Sequence, residues 1–120
     1  MEMNVDVLKK IWCRETAHPS YQKDWTEDNP SYGQCAVTAL LINDLCCVPI
    51  YKCRVGRKTH YFNMWAGRCE VIDLTSEQFG SQKIDYLDCE SVLREQLLKC
   101  EHVKERYEML KTRLENYYEQ

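Results

Sequence analysis

Residues 35–45, "CAVTALLINDL", constrain the fold more than any other stretch. Ala36, Val37, Ala39, Leu40, Leu41 and Leu45 supply a helix that has to be buried. What precedes it is built from turn formers, "NPSYGQ". Pro30 disfavours helix at Asn29, so the helix begins after that pair. Ser31 and Gln34 fit an S-x-x-Q capping box, with Ser31 as N-cap and Gln34 three positions later. Cys35 then falls in the first turn, where unpaired N–H groups and the positive end of the helix dipole stabilise an anion. A thiol in such a place forms thiolate more readily than an ordinary one. Gly33 would let another chain or a substrate come close to the backbone. The plainer reading stands beside this: a small apolar residue packed at a helix start, since free cysteine is among the most buried residue types.

The other elements are read around this helix. The chain of 120 residues suits one domain, 1–120, with a modest core. Val5, Leu8, Ile11 and Trp12 give a short helix within 4–14. Residues 16–34 read as a long loop in which Trp25 is a packing anchor or a cleft-lining side chain. "VPIYKCRV" (48–55) is strand-like and "GRK" is a turn. "HYFNMW" (60–65) and "CEVIDL" (69–74) flank Ala66-Gly67 as a hairpin, followed by "TSEQF" as a turn or a single helical turn. Residues 88–118 carry Leu93, Leu97, Cys100, Val103, Tyr107, Leu110, Leu114 and Tyr117 at intervals of three or four, and read as one long helix. That stripe is a core face in the first reading and a partner seam, including a homodimer seam, in the second. The expected fold is α+β: a central Cys-bearing helix on a small antiparallel sheet, with a long C-terminal helix.

Composition narrows the function classes. A net charge of −3 without a basic run argues against nucleic acid as a partner. No stretch approaches the roughly 20 apolar residues of a membrane span. The charged start "MEMNVDVLKKIW" is unlike a signal peptide, so a cytoplasmic protein is expected. The eight cysteines are Cys13, Cys35, Cys46, Cys47, Cys53, Cys69, Cys89 and Cys100. In a reducing compartment they are free thiols. None forms a C-x-x-C pair of the kind structural zinc uses, so no metal and no cofactor are expected.

Thiol chemistry needs a base and a group that orients it. His18 precedes Pro19 in a loop and His102 sits among charged residues of the C-terminal helix, so both read as surface side chains. His60 opens a strand. If Ala66-Gly67 is a two-residue hairpin loop, Trp65 pairs with Arg68 and His60 falls directly opposite Asp73 on one face. A three-residue loop would put the two on opposite faces. Asp73 could also cap the "TSEQF" turn.

A cysteine at a helix start, followed by histidine and aspartate on neighbouring antiparallel strands, resembles the core of papain-like and transglutaminase-like enzymes. That likeness implies Cys35 as nucleophile, His60 as its ion-pair partner and proton donor, and Asp73 as the group fixing the histidine tautomer. It also implies an oxyanion site at the helix start with the Gln34 side chain. A closer resemblance is to the YunG-like family of small bacterial proteins. The motifs that carry it are "PSYGQCAVTALLIND", "THYFNMW", "VIDLTSEQF" and, more loosely, "RYEMLKTRL". Thr59, Phe62 and Ala66 depart from that family's usual serine, tryptophan and aspartate. None of these departures touches Cys35, His60 or Asp73. The papain-like and transglutaminase-like resemblance implies acyl transfer, or hydrolysis of an amide, isopeptide or thioester bond, while the YunG-like one implies the fold and the shared site and leaves the reaction open. Trp25, Tyr32, Tyr61, Asn63 and Trp65 are left to line the substrate site. The alternatives are a non-catalytic small-molecule or peptide-binding module on the same scaffold, and an interaction protein using the C-terminal helix.

Overall fold

The computed structural model describes residues 3–119. Helix α1, Val5–Ile11, starts where the Asn4 side chain accepts the Val7 N–H at 3.0 Å. Helix α2, Cys35–Cys46, is buried without a break from Ala36 to Ile42, as an all-round apolar helix must be. Strands β1 (Ile50–Val55), β2 (Lys58–Trp65), β3 (Glu70–Ile72) and β4 (Cys89–Val92) form one sheet in the order β3-β2-β1-β4. Every pairing is antiparallel. Helices α3 (Arg94–Leu98) and α4 (Val103–Tyr118) complete the chain.

Two apolar clusters result. The larger joins α1, α2 and α4 through Leu8, Ile11, Val37, Leu40, Leu110 and Leu114, with Ile50 and Leu97 added. Each such side chain, fully buried, stabilises the fold by roughly 1.5–3 kcal/mol. The Trp12 indole ties α1 to α2 by donating to Thr38 Oγ1 at 2.9 Å. At the other end of α2, Arg94 donates to Leu40 O and Asn43 Oδ1 and pairs with Asp44 at 2.8 Å. A cation there suits the negative end of the helix dipole. The smaller cluster holds Cys53, Val55 and Phe62, covered by Phe79, Ile84 and Tyr86 from the segment after β3.

Several sequence expectations are corrected. Ser31 is not the N-cap of α2; Gln34 holds that position and makes no capping bond with its side chain. Ser31 instead closes a turn, its carbonyl accepting the Gln34 N–H at 3.1 Å. The loop 16–34 contains a six-residue 3-10 helix, Pro19–Asp24. The close approach at Gly33, at φ +76°, is made by this chain's own Tyr21 and Ala17, which leave no room for a Cβ. The continuous helix over 88–118 does not form. Its first residues pair with the outer edge of β1 as β4, Cys89 opposite Cys53 and Val92 opposite Ile50. His102, at φ +64°, then separates α3 from α4. An open strand edge outweighs a local helical period, and Leu93 at 64% exposed was never part of the stripe. Within α4, Val103, Tyr107, Leu110 and Leu114 are buried against the rest of the chain. No helix among the described residues is long and apolar enough to cross a membrane.

Candidate active site

Strand β2 sends alternate side chains in two directions. Tyr61 packs on the larger cluster, and Asn63 donates to Ala39 O of α2 at 3.1 Å. His60 and Phe62 belong with the smaller one, their rings 6.2 Å apart. His60 is fully buried, with the edge of Phe79 4.9 Å away.

The hairpin register differs from the expected one, yet the pair it was meant to produce is present. The loop spans Ala66–Cys69 and Trp65 pairs with Glu70, so the register lies two residues further on. A shift of two keeps every side chain on its face. Asp73, just past the end of β3, therefore reaches His60 diagonally: Oδ2 is 2.7 Å from Nε2. Both readings of Asp73 hold at once through different oxygens. Oδ1 accepts the N–H and the hydroxyl of Thr75, each at 3.2 Å, and so caps the following turn. Oδ2 serves His60 and also accepts the Tyr86 hydroxyl at 2.7 Å. Burial, then that bond, raises the Tyr86 pKa.

With Nε2 on Asp73, the other ring nitrogen, Nδ1, is buried and makes no conventional hydrogen bond. The Cys35 thiol is the further side chain coupled to this ring. Burial alone pushes the His60 pKa down. The Asp73 hydrogen bond, the Cys35 thiol and the negative charge of both outweigh it, and the value rises to about 9. His60 is thus an imidazolium at neutral pH, held between a carboxylate and a thiol. Cys53, paired with His60 across β1 and β2, is the contrasting thiol. Burial first, then the Asp73 charge, raises its pKa to about 11, so it stays protonated. All eight cysteines are free. Among the described residues no group of three or more His, Cys, Asp or Glu could hold a metal ion.

The remaining expected site residues divide. Burial, then the charges of Cys100 and Cys35, raises the pKa of Tyr61. Tyr32 stacks on Tyr21 at 4.8 Å, and Lys58 lies over both rings. Tyr21, which sequence reading passed over, has its pKa raised by burial and then by Cys35. Asn63 is fully buried and spends its amide on Ala39 O and Val48 O, so it pins β2 to α2 and lines no cleft. Trp25 is a packing anchor, its indole donating to Pro30 O at 3.0 Å. Trp65 carries the Arg68 guanidinium at the far end of β2, roughly 16 Å from His60 at about 3.3 Å per residue. Gln34 is fully buried, its amide donating to Cys13 O and accepting from Thr16 Oγ1 at 2.9 and 2.8 Å. Gln78, from "TSEQF", accepts the Gly33 N–H at 3.1 Å and so ties the turn after Asp73 to the segment before Cys35. Its own buried Nε2 has no partner.

No solved structure matches this chain. The uncharacterized protein YunG of Bacillus subtilis (strain 168) is 44% identical over 73 residues, which is 61% of this chain and 57% of that relative. The match thus spans little more than half of the relative's length. The family model described as YunG protein matches residues 2–119. By that match over nearly its whole length, the chain belongs to the YunG family.

Proposed function

We propose that this chain is a thiol-dependent acyl-transfer enzyme whose site resembles the papain-like and transglutaminase-like arrangement. Cys35 is the nucleophile, His60 the acid and base, and Asp73 the group that fixes the ring. The observation that carries this reading is the His60 imidazole, fully buried and gripped at Nε2 by Asp73, with Cys35 as its other partner and its pKa raised to about 9. A buried imidazolium of that kind is costly in an ordinary core and useful beside a thiolate.

The Cys35 thiolate attacks an acyl carbon, and the carbonyl electron pair moves to oxygen. N–H groups of the first turn of α2 stabilise that oxyanion. On collapse, the bond to the leaving nitrogen or sulfur breaks and that atom takes the proton from His60 Nδ1. A thioester to Cys35 remains. Water or another nucleophile then gives its proton to Nδ1 as it attacks, and Cys35 leaves as thiolate. Asp73 keeps Nε2–H engaged throughout, so that Nδ1 faces the reaction.

The test is site-resolved alkylation. The full chain is treated with iodoacetamide at pH 6.5 and its eight thiols are followed by peptide mass spectrometry. Cys35 should react about tenfold or more faster than the exposed Cys46, Cys69 and Cys100, and His60→Ala should abolish the advantage. Cys35 reacting no faster than those thiols would refute the nucleophile.

A further inference from the structure

Next to the first turn of α2 lies a cavity of about 290 Å³, whose lining includes the apolar Ala36, Tyr61, Leu97 and Val103 and the polar His18, Thr59, Glu101 and Arg106. Its walls include the residue after the proposed nucleophile and both sequence neighbours of His60. Most of their surface is apolar. Of its two charged members, Glu101 is exposed and Arg106 is buried, at 4% exposed. Its Nε donates to His102 O at 3.0 Å and Nη1 to Thr16 O at 3.1 Å. Nη2 is buried and has no partner. Both acceptors are neutral carbonyls. Glu101 and Glu105, the nearest acids in sequence, are exposed and face His102 instead, at 3.1 and 3.6 Å. Among the described residues no carboxylate lies within ion-pair distance of Arg106; burial lowers its pKa, and the charges of Cys35 and Glu105 oppose that only in part. His18, on the same wall, does not compensate it either, since burial and then the positive charges of Arg106 and His102 lower its pKa.

An unpaired buried cation is expensive, and two backbone carbonyls do not neutralise it. The position adds to the cost. Arg106 stands in the first turn of α4, where the helix dipole disfavours a cation. The N-cap His102 makes no capping bond with its side chain. A buried guanidinium with an unpartnered N–H and the start of a 16-residue helix therefore converge on a largely apolar hollow, while the nearby Glu101 and Glu105 turn to His102.

We infer that this cavity binds the carboxylate end of the substrate, an acyl compound or peptide with a short apolar stem whose carboxylate pairs with Arg106. The inference rests on the reading of Cys35 as nucleophile only in calling the occupant a substrate; the anion site stands on its own. The stem lies against Ala36, Tyr61, Leu97 and Val103, and the cavity has room for a short aliphatic chain.

The test uses hexanoate, hexanamide and hexylamine as probes on the full chain, followed by the backbone amide signals of Ala36, Val103 and Arg106. Hexanoate should bind saturably, and hexanamide and hexylamine about tenfold or more weaker, because only the carboxylate makes charge-assisted bonds to Arg106. Arg106→Gln should remove the preference, and Arg106→Lys should keep part of it. Equal binding of hexanoate and hexanamide by the wild type would overturn the inference, and that comparison decides alone if Arg106→Gln does not fold. Cys35→Ser should keep the preference for hexanoate over hexanamide, since removing a nearby negative charge does not weaken the attraction of Arg106 for a carboxylate. A preference for hexanoate with an unreactive Cys35 would sink the acyl-transfer reading and leave the anion pocket standing. A reactive Cys35 with no such preference would sink the pocket alone. Hexanoate should also slow alkylation of Cys35; absence of protection would detach the pocket from the site.

Discussion

The two apolar clusters differ in what builds them. The larger is assembled from regular elements, α1, α2 and α4, and its buried members are almost all aliphatic. The smaller has a floor of strand residues and a cover taken from the irregular segment after β3, with Phe79, Ile84 and Tyr86 only partly buried. The first gives stability and contains no chemistry. The second shelters His60, Asp73 and the Tyr86 hydroxyl, groups that are costly to bury unless each has a partner. Cys35 begins the central helix of the first and meets the histidine of the second. The proposed site therefore sits on the seam, with its nucleophile fixed by the stable cluster and its base by the polar one.

That division predicts separable effects. The largest belongs to the first cluster. Leu40→Ala or Leu110→Ala, both at fully buried positions, should destabilise the fold by about 2–5 kcal/mol in urea unfolding. Either should leave the pH profile of Cys35 alkylation unchanged in the folded state. A shifted profile would mean that the clusters are not independent. Next comes the link between them. Asn63→Ala removes both bonds from β2 to the α2 side and should cost about 1–3 kcal/mol. A loss below about 0.5 kcal/mol would show that water replaces the amide.

The smaller cluster should respond to pH. The His60 pKa is raised from 6.5 to about 9 on folding, so its contribution to stability is fully present below pH 6.5 and is lost as pH rises through 9. Unfolding free energy should fall across that window in the wild type. The fall should be smaller in His60→Gln, and an equal fall in both would assign it to other groups. The smallest effect is that of Tyr86→Phe, which deletes one bond to Asp73 Oδ2 and should cost about 1 kcal/mol. With one donor fewer, Asp73 attracts the imidazolium more strongly, so the His60 pKa should move up. Asp73→Asn should move it down. Shifts of the same sign would contradict the shared-oxygen arrangement.

How much of this was legible in the chain follows the same boundary. The central helix could be read because its apolar residues leave it no exposed face. The His60–Asp73 contact could be read because strand parity survives a register error of two residues. Asp73 and Cys35 stood at positions that local rules single out, a turn and a helix start. Tyr86, Tyr21, Gln78 and Arg106 could not be found that way. Tyr86, Tyr21 and Gln78 lie where no period marks them as facing the site; Arg106 does fall on the helical period, three residues after Val103 and four before Leu110, but its charge kept it out of an apolar stripe. Asn63 misled for a related reason: a polar residue on a strand beside a catalytic candidate looks like a ligand contact until its amide is seen satisfied inside the protein. The 88–118 segment misled because a helical spacing ran across a strand, a short helix and a break without interruption.

If Cys35, His60 and Asp73 act as one unit across the seam, the ring-nitrogen NMR titration of His60 in the wild type, Cys35→Ser and Asp73→Asn shows it most directly. The wild-type midpoint should lie near 9, with a lower midpoint in each variant, because each removes a group that raises it. A wild-type midpoint at or below the ordinary histidine value of about 6.5, or one that neither substitution moves, would contradict it.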